Sequence, residues 1–185
     1  MTALDNLPTN KNFLSPLGWT LLIKRAPNVV FFLQQVELPN IALSSPDFAN
    51  PFVKYPTPGD HIEFAPLNLT FKIDEDMQNW LEIFTWLMQL GFPTSYQEYA
   101  QVQAIPLITG LGIRSDLTLL IHSAAHNPKW EIVFRDAFPV ALSGRQPFTS
   151  TDPDVNYMIA STTFKYTSYS VRSVSDPVPP DGFTT

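Results

Sequence analysis

The sequence predicts a mainly β fold: an antiparallel two-sheet sandwich or barrel with one α-helix, about residues 74–90, packed against it. Three observations carry that prediction. Short runs rich in Val, Ile, Leu, Phe and Thr recur along the 185 residues, punctuated by Pro, Asn and Gly. One run alternates strictly, with Leu67, Leu69, Phe71 and Ile73 interleaved by Asn68, Thr70 and Lys72, the period of a half-buried strand. Directly after it, apolar residues recur at helical spacing. The sequence shows neither an internal repeat nor a composition break, so residues 1–185 read as one domain.

Taken in order, residues 1–12 are polar and read as an N-terminal arm. Two β-like runs follow, WTLLIKR at 19–25 and VVFFLQQVE at 29–37, joined by a tight connection at Ala26-Pro27-Asn28. Residues 40–60 are rich in Pro, Ser and Asn and hold Phe48, Phe52 and Tyr55. They read as a long loop or extended arm that docks on something, because its aromatics argue against plain disorder. Asp74, Glu75 and Asp76 are placed to open the helix, where carboxylates favour its positive end. Trp80, Phe84 and Leu87 then lie on the predicted core face, and Gly91 sits where a C-terminal cap belongs, with Pro93 barring continuation. A short strand is expected near 102–108, and LTLLIH at 117–122 pairs hairpin-like with WEIVF at 130–134. Phe138-Pro139-Val140 and Ser143-Gly144 read as loop and turn. Phe164 and Tyr166 alternate with Thr163, Lys165 and Thr167, and Pro177, Pro179 and Pro180 mark 173–185 as a loose tail.

Charged residues are 15% of the chain against a hydrophobic share of 44%. That charge is well below the roughly 25% usual in soluble domains, so part of the surface is expected to be covered by partners. With eleven Lys and Arg and a net charge of −6, phosphate gripping is disfavoured, whereas passage of DNA along an acidic wall is not. The chain has no cysteine, which removes disulfides and thiolate chemistry. The first residues lack an apolar leader, and no window approaches the about 18 apolar residues that span a bilayer, so no membrane role is expected.

Catalytic, cofactor and metal signals are weak. His61, His122 and His126 lack helical metal spacing, Asp152 and Asp154 sit in ordinary turn composition, and Asp74 to Asp76 are accounted for by the helix start. Gly110 and Gly112 are only a fragment of a phosphate loop. The expectation is no enzyme, no cofactor and no metal. Phe48, Phe52 and Tyr55 are the candidate subunit interface, weighed equally against a loop folded onto its own core.

The order of features resembles a known family. Gln35-Val36-Glu37-Leu38-Pro39-Asn40, then Pro58-Gly59-Asp60, then Ile73-Asp74-Glu75-Asp76 opening a Trp-rich helix, is followed by Pro128-Lys129-Trp130-Glu131-Ile132 and Phe138-Pro139-Val140-Ala141-Leu142-Ser143-Gly144, and it closes with Phe164-Lys165-Tyr166. From Phe13 to about Val171 this resembles virion structural proteins of T4-like myoviruses, particularly of marine cyanophages, and contractile-tail tube proteins. The resemblance implies homohexameric rings stacking into an inner tube through which DNA and a tape-measure protein pass. Sheath, baseplate and neck proteins are the implied partners, and the implied location is a phage tail assembled in the host cytoplasm. A specialised ring at the tube end, an initiator or a terminator, fits the same features. From a different class, a β-sandwich that binds glycan or receptor through Tyr55, Tyr96 and Tyr99 would be a monomer or trimer, where a tube subunit is a hexamer.

Overall fold

The computed structural model describes residues 12–49, 52–91, 96–97, 100, 112–144 and 157–175. In chain order the elements are Trp19–Ile23 (β1), Pro27–Phe31 (α1), Leu33–Glu37 (β2), Ile41–Leu43 (β3), Asp47–Phe48 (β4), Tyr55–Pro56 (β5), Ile62–Phe64 (β6) and Leu67–Lys72 (β7). Gln78–Gly91 (α2), Ser115–His122 (β8), Pro128–Gly144 (β9), Ile159–Lys165 (β10) and Ser168–Ser173 (β11) follow. The expected N-terminal arm (all but residue 12), the strand at 102–108 and nearly all of the tail lie outside the described residues.

The seventeen residues of β9 organise the molecule. Along one edge β9 pairs antiparallel with β10 and then β11, from Ala160↔Gly144 through Lys165↔Phe138 and Ser168↔Arg135 to Ser173↔Trp130. Its other edge carries β8 along the first half only, and β8 in turn carries β1. On the far side of β10 lie β7 and then β2. Two four-stranded sheets result, β1-β8-β9-β11 and β9-β10-β7-β2, with β9 belonging to both. At the changeover Asp136 takes φ 54°, a left-handed conformation uncommon outside glycine, and its N–H donates to Asp116 Oδ1 at 3.0 Å. Phe138-Pro139-Val140 and Ser143-Gly144, expected as loop and turn, are strand. Pro139 sits opposite Phe164 within the register, and its missing N–H costs little because that half of β9 pairs along a single edge.

The inward rows of both sheets meet in one core: Leu21 and Ile23, Leu117 and Leu119, Ile132 and Phe134 from one sheet, Leu67, Leu69, Phe71, Ala160 and Phe164 from the other. Burial follows the strand period, as in β7, where every second residue is buried. The run at 29–37 does not stay extended. Pro27, fixed near helical φ and lacking an N–H, starts α1, so the run divides into a helical turn that buries Val29 and the strand β2.

Helix α2 begins later and faces differently from the sequence prediction. Met77 takes φ 55° and no acidic residue lies in the first turn, so Asp74 to Asp76 form a preceding turn, closed by Met77 N–H to Asp74 O at 3.0 Å. The buried stripe is Asn79, Ile83 and Trp86. Of the predicted core face, Trp80 and Leu87 are half-buried against the core, and Phe84 is exposed beneath a parallel stack with Trp80 at 5.0 Å. The stripe is turned by one residue because a buried amide belongs to it. Asn79 Nδ2 donates to Lys72 O at 2.7 Å and its Oδ1 accepts from Asp74 N–H at 3.4 Å, which ties the end of β7 to the helix.

Candidate assembly interface

Residues 41–49 and 52–64 form an arm rather than a loop. Ile41–Leu43 pairs with Ile62–Phe64, and Asp47–Phe48 pairs with Tyr55–Pro56. Backbone bonds Ser44 N–H to His61 O, Gly59 N–H to Ser44 O and Thr57 N–H to Pro46 O bridge the two ladders. Gly59 is required there, because a Cβ would overlap the backbone carbonyl of Ser44. The three predicted interface residues lie together at its outer end. Phe48 and Tyr55 stack across the strands at 5.9 Å and 12°, and Phe52 is 91% exposed. Ile41, Leu43, Ile62 and Val53 add exposed apolar surface along the arm. Such a surface is costly in water, which makes the arm a candidate contact region.

The base of the arm is anchored. Phe64 packs on Tyr166 and Tyr169, with ring centroids 6.1 and 5.6 Å apart, and both tyrosines also pack on Phe134. Tyr166 Oη–H donates to Ala65 O at 2.7 Å. Desolvation, with a smaller contribution from Tyr169, pushes the Tyr166 hydroxyl up to about 12. It therefore stays a donor at any ordinary pH and holds the arm's exit from the body.

A groove of about 280 Å³ opens between β1 and β2, lined by Leu14, Trp19, Val36, Leu38, Leu119 and Ile121 among others. A second groove, beside α2, has mixed walls, with Arg25, Asp76, Glu82 and Gln89 beside Leu81 and Trp86. There Asn28 donates its N–H and Nδ2–H to Glu82, whose pKa is nonetheless raised, chiefly by burial. Arg25 lies over the Trp86 ring at 4.8 Å and bonds to Gln89.

The outward face of the second sheet is a strip of small polar side chains. Ser143 and Ser161 share a hydroxyl bond of 2.8 Å, Thr163 donates to Asn68 at 3.1 Å, and Asn68 donates to Glu37 at 3.2 Å. Among the described residues, the outer edges of β1, β2 and β11 and one edge of the second half of β9 carry no ladder partner. Unpaired strand edges are templates for pairing with another chain.

The described residues hold no group of three His, Asp or Glu placed to bind a metal. His61 sits exposed beside Asp60, and His122 meets Thr20 at 3.4 Å. Tyr96 is exposed, whereas Tyr99, Asp152 and Asp154 lie outside the described residues. No helix is long and apolar enough to cross a membrane among the described residues. What sequence reasoning missed is the groove, because Trp19, Val36 and Leu119 sit in different strands and only the sheet topology brings them together.

No family model matches the sequence, and no curated protein matches it. Solved structures do. The chain is similar to the tube-terminating cap of the anti-feeding prophage, with a TM-score of 0.57 and 12% identity, covering 94% of this chain and 100% of that one. It is similar to a chain of the anti-feeding prophage baseplate, with a TM-score of 0.53, 10% identity and coverage of 85% and 92%. A chain of the sheath–tube complex of an extracellular contractile injection system in its extended state aligns with a TM-score of 0.51, 12% identity and coverage of 89% and 94%. The fold is thus the contractile-tail tube type: mostly antiparallel β, open sheets, and helices packed on them.

Proposed function

We propose that this chain is a structural subunit of a contractile phage tail or a tail-like injection particle, in which copies close into rings and rings stack into the inner tube. The work is mechanical and needs no catalysis. The observation that carries this reading is incompleteness: among the described residues both sheets end in unpaired edges, and the arm presents aromatics to solvent. Closing a ring lets the edges of one copy pair with those of the next, which removes the aggregation hazard that open edges create.

Six copies per ring is the stoichiometry we propose, with the strip from Ser143 to Glu37 facing the lumen. Its hydroxyls and amides are already hydrogen-bonded to one another, so a passing polymer finds few free donors to hold it. Genomic DNA and a tape-measure protein are the proposed cargo. Sheath, baseplate and neck proteins are the proposed neighbours, in a T4-like myovirus virion assembled in the host cytoplasm. A terminal ring is the second reading, favoured by the alignment over the whole length of a tube-terminating cap.

Negative-stain electron microscopy with mass in solution tests the proposal. Hollow rings or tubes and a six-fold mass are expected. A stable monomer without rings at concentrations of tens of micromolar or more would overturn it and favour a solitary binding module. Rings that never elongate would select the terminal-ring reading.

A further inference from the structure

We infer that the aromatic end of the arm seats in the apolar groove between β1 and β2 of a second copy, so that one chain carries both the knob and the socket of its own assembly. The inference rests on the assembly reading above and names the contact that reading lacks. The knob is the stacked Phe48–Tyr55 pair with Phe52 beyond it. The socket is the groove walled by Trp19, Val36, Leu119 and Ile121 and rimmed by Leu14 and Leu38. With a volume of about 280 Å³ the groove is large enough to take an aromatic side chain. Its walls are apolar like the knob, whereas the groove beside α2 mixes Arg25, Asp76, Glu82 and Gln89 with Leu81 and Trp86, so an aromatic ring seated there would take charged groups out of water.

The chain's own knob cannot fill its own socket. Leu38, on the rim, lies three residues before β3, at the base of the arm. From Ile41 to Phe48 the ladder runs outward for seven residues, roughly 23 Å at strand rise. The base is held by the Tyr166 bond to Ala65 and by Phe64 between two tyrosines, so the ladder does not fold back. The occupant is therefore another copy. Because knob and socket lie on different surfaces, the contact is head-to-tail and propagates, as a ring or as a stack, instead of ending at a dimer.

The absence of cysteine gives a clean test. Phe52→Cys and Leu38→Cys chains are prepared separately, mixed, assembled and treated with a short bis-maleimide. Cross-linked dimers are expected in the mixture and not in either variant alone. Rings or tubes seen by microscopy without mixed cross-links would overturn this socket while leaving the assembly reading intact. Absence of any assembly by mass and microscopy would take down both. Cross-linking of Phe52→Cys with itself would mean tip-to-tip pairing and would also overturn it.

A charge exchange supplies the second arm of the test. Phe52→Asp and Leu38→Asp, both at exposed positions, are expected to leave the melt unchanged and to lower the assembled fraction at least ten-fold. Phe52→Asp combined with Leu38→Lys is expected to restore it. Wild-type assembly by either single variant would refute the contact.

Discussion

Trp86 is the side chain whose removal should hurt the fold most. It is 1% exposed, meets Phe164 edge-on at 5.8 Å, and lies under the Arg25 guanidinium. Its indole N–H donates to Ile113 O at 3.0 Å. Trp86→Ala removes a buried aromatic and leaves a cavity, about 3–5 kcal/mol by itself. It also strands the Ile113 carbonyl, about 1 kcal/mol more if water does not reach it. Trp86→Phe keeps most of the apolar contact and loses the hydrogen bond and part of the volume, for about 1–3 kcal/mol. Trp80→Ala is the comparison, since Trp80 is half-buried and its stack on Phe84 lies at the surface. It should cost about 1–2 kcal/mol. Urea melts followed by far-ultraviolet circular dichroism give the three values on one scale. Equal losses for Trp80→Ala and Trp86→Ala, or a loss below about 2 kcal/mol for Trp86→Ala, would refute this account of which helix face is core.

Two further predictions concern the arm. Tyr166→Phe removes the bond to Ala65 and should cost about 1 kcal/mol, read by the same melts. The Tyr166 hydroxyl is raised in the folded state, so the fold holds its proton where the unfolded chain has released it. Stability should therefore fall as pH rises from about 10 to about 12, by no more than about 1–2 kcal/mol after solvent screening, and Tyr166→Phe should lose that part of the slope. Gly59→Ala should open the arm ladder through the clash with Ser44 while the body's melting is unchanged. Limited proteolysis within residues 44–60 should speed up several-fold, and unaltered cleavage would refute the close approach.

Periodicity made the strands around β7, β8 and the first half of β9 legible, because one buried face imposes alternation that nothing else in a sequence imitates. Phe48, Phe52 and Tyr55, expected from the sequence as a candidate interface, lie at one end of one element. Residues 138–144 were misread because Pro139 and Gly144 are turn residues by propensity, while in place one half of β9 pairs along a single edge and tolerates both. Helix α2 was legible in its existence and misread in its facing. Its apolar stripe is wide enough that a buried Asn79, whose partners come from Lys72 and Asp74, decides the rotation. The groove between β1 and β2 had no sequence signal at all, since its walls come from positions about a hundred residues apart.

That separation also governs how the chain reaches its fold. Trp19 finds Ile121, and Phe71 finds Ala160, across about half of the chain, so the closing contacts have high sequence separation and the loops they close are long. Since β9 serves both sheets, neither is complete until its residues are in place, and β7 waits for β10. A chain emerging from the ribosome would thus hold β1 unpaired until β8 has been made, and would leave β7, which β2 can already join, without its second neighbour until β10 follows. Folding in the millisecond-to-second range, with early strands exposed to mispairing, is the kinetic consequence of a single strand spanning two sheets.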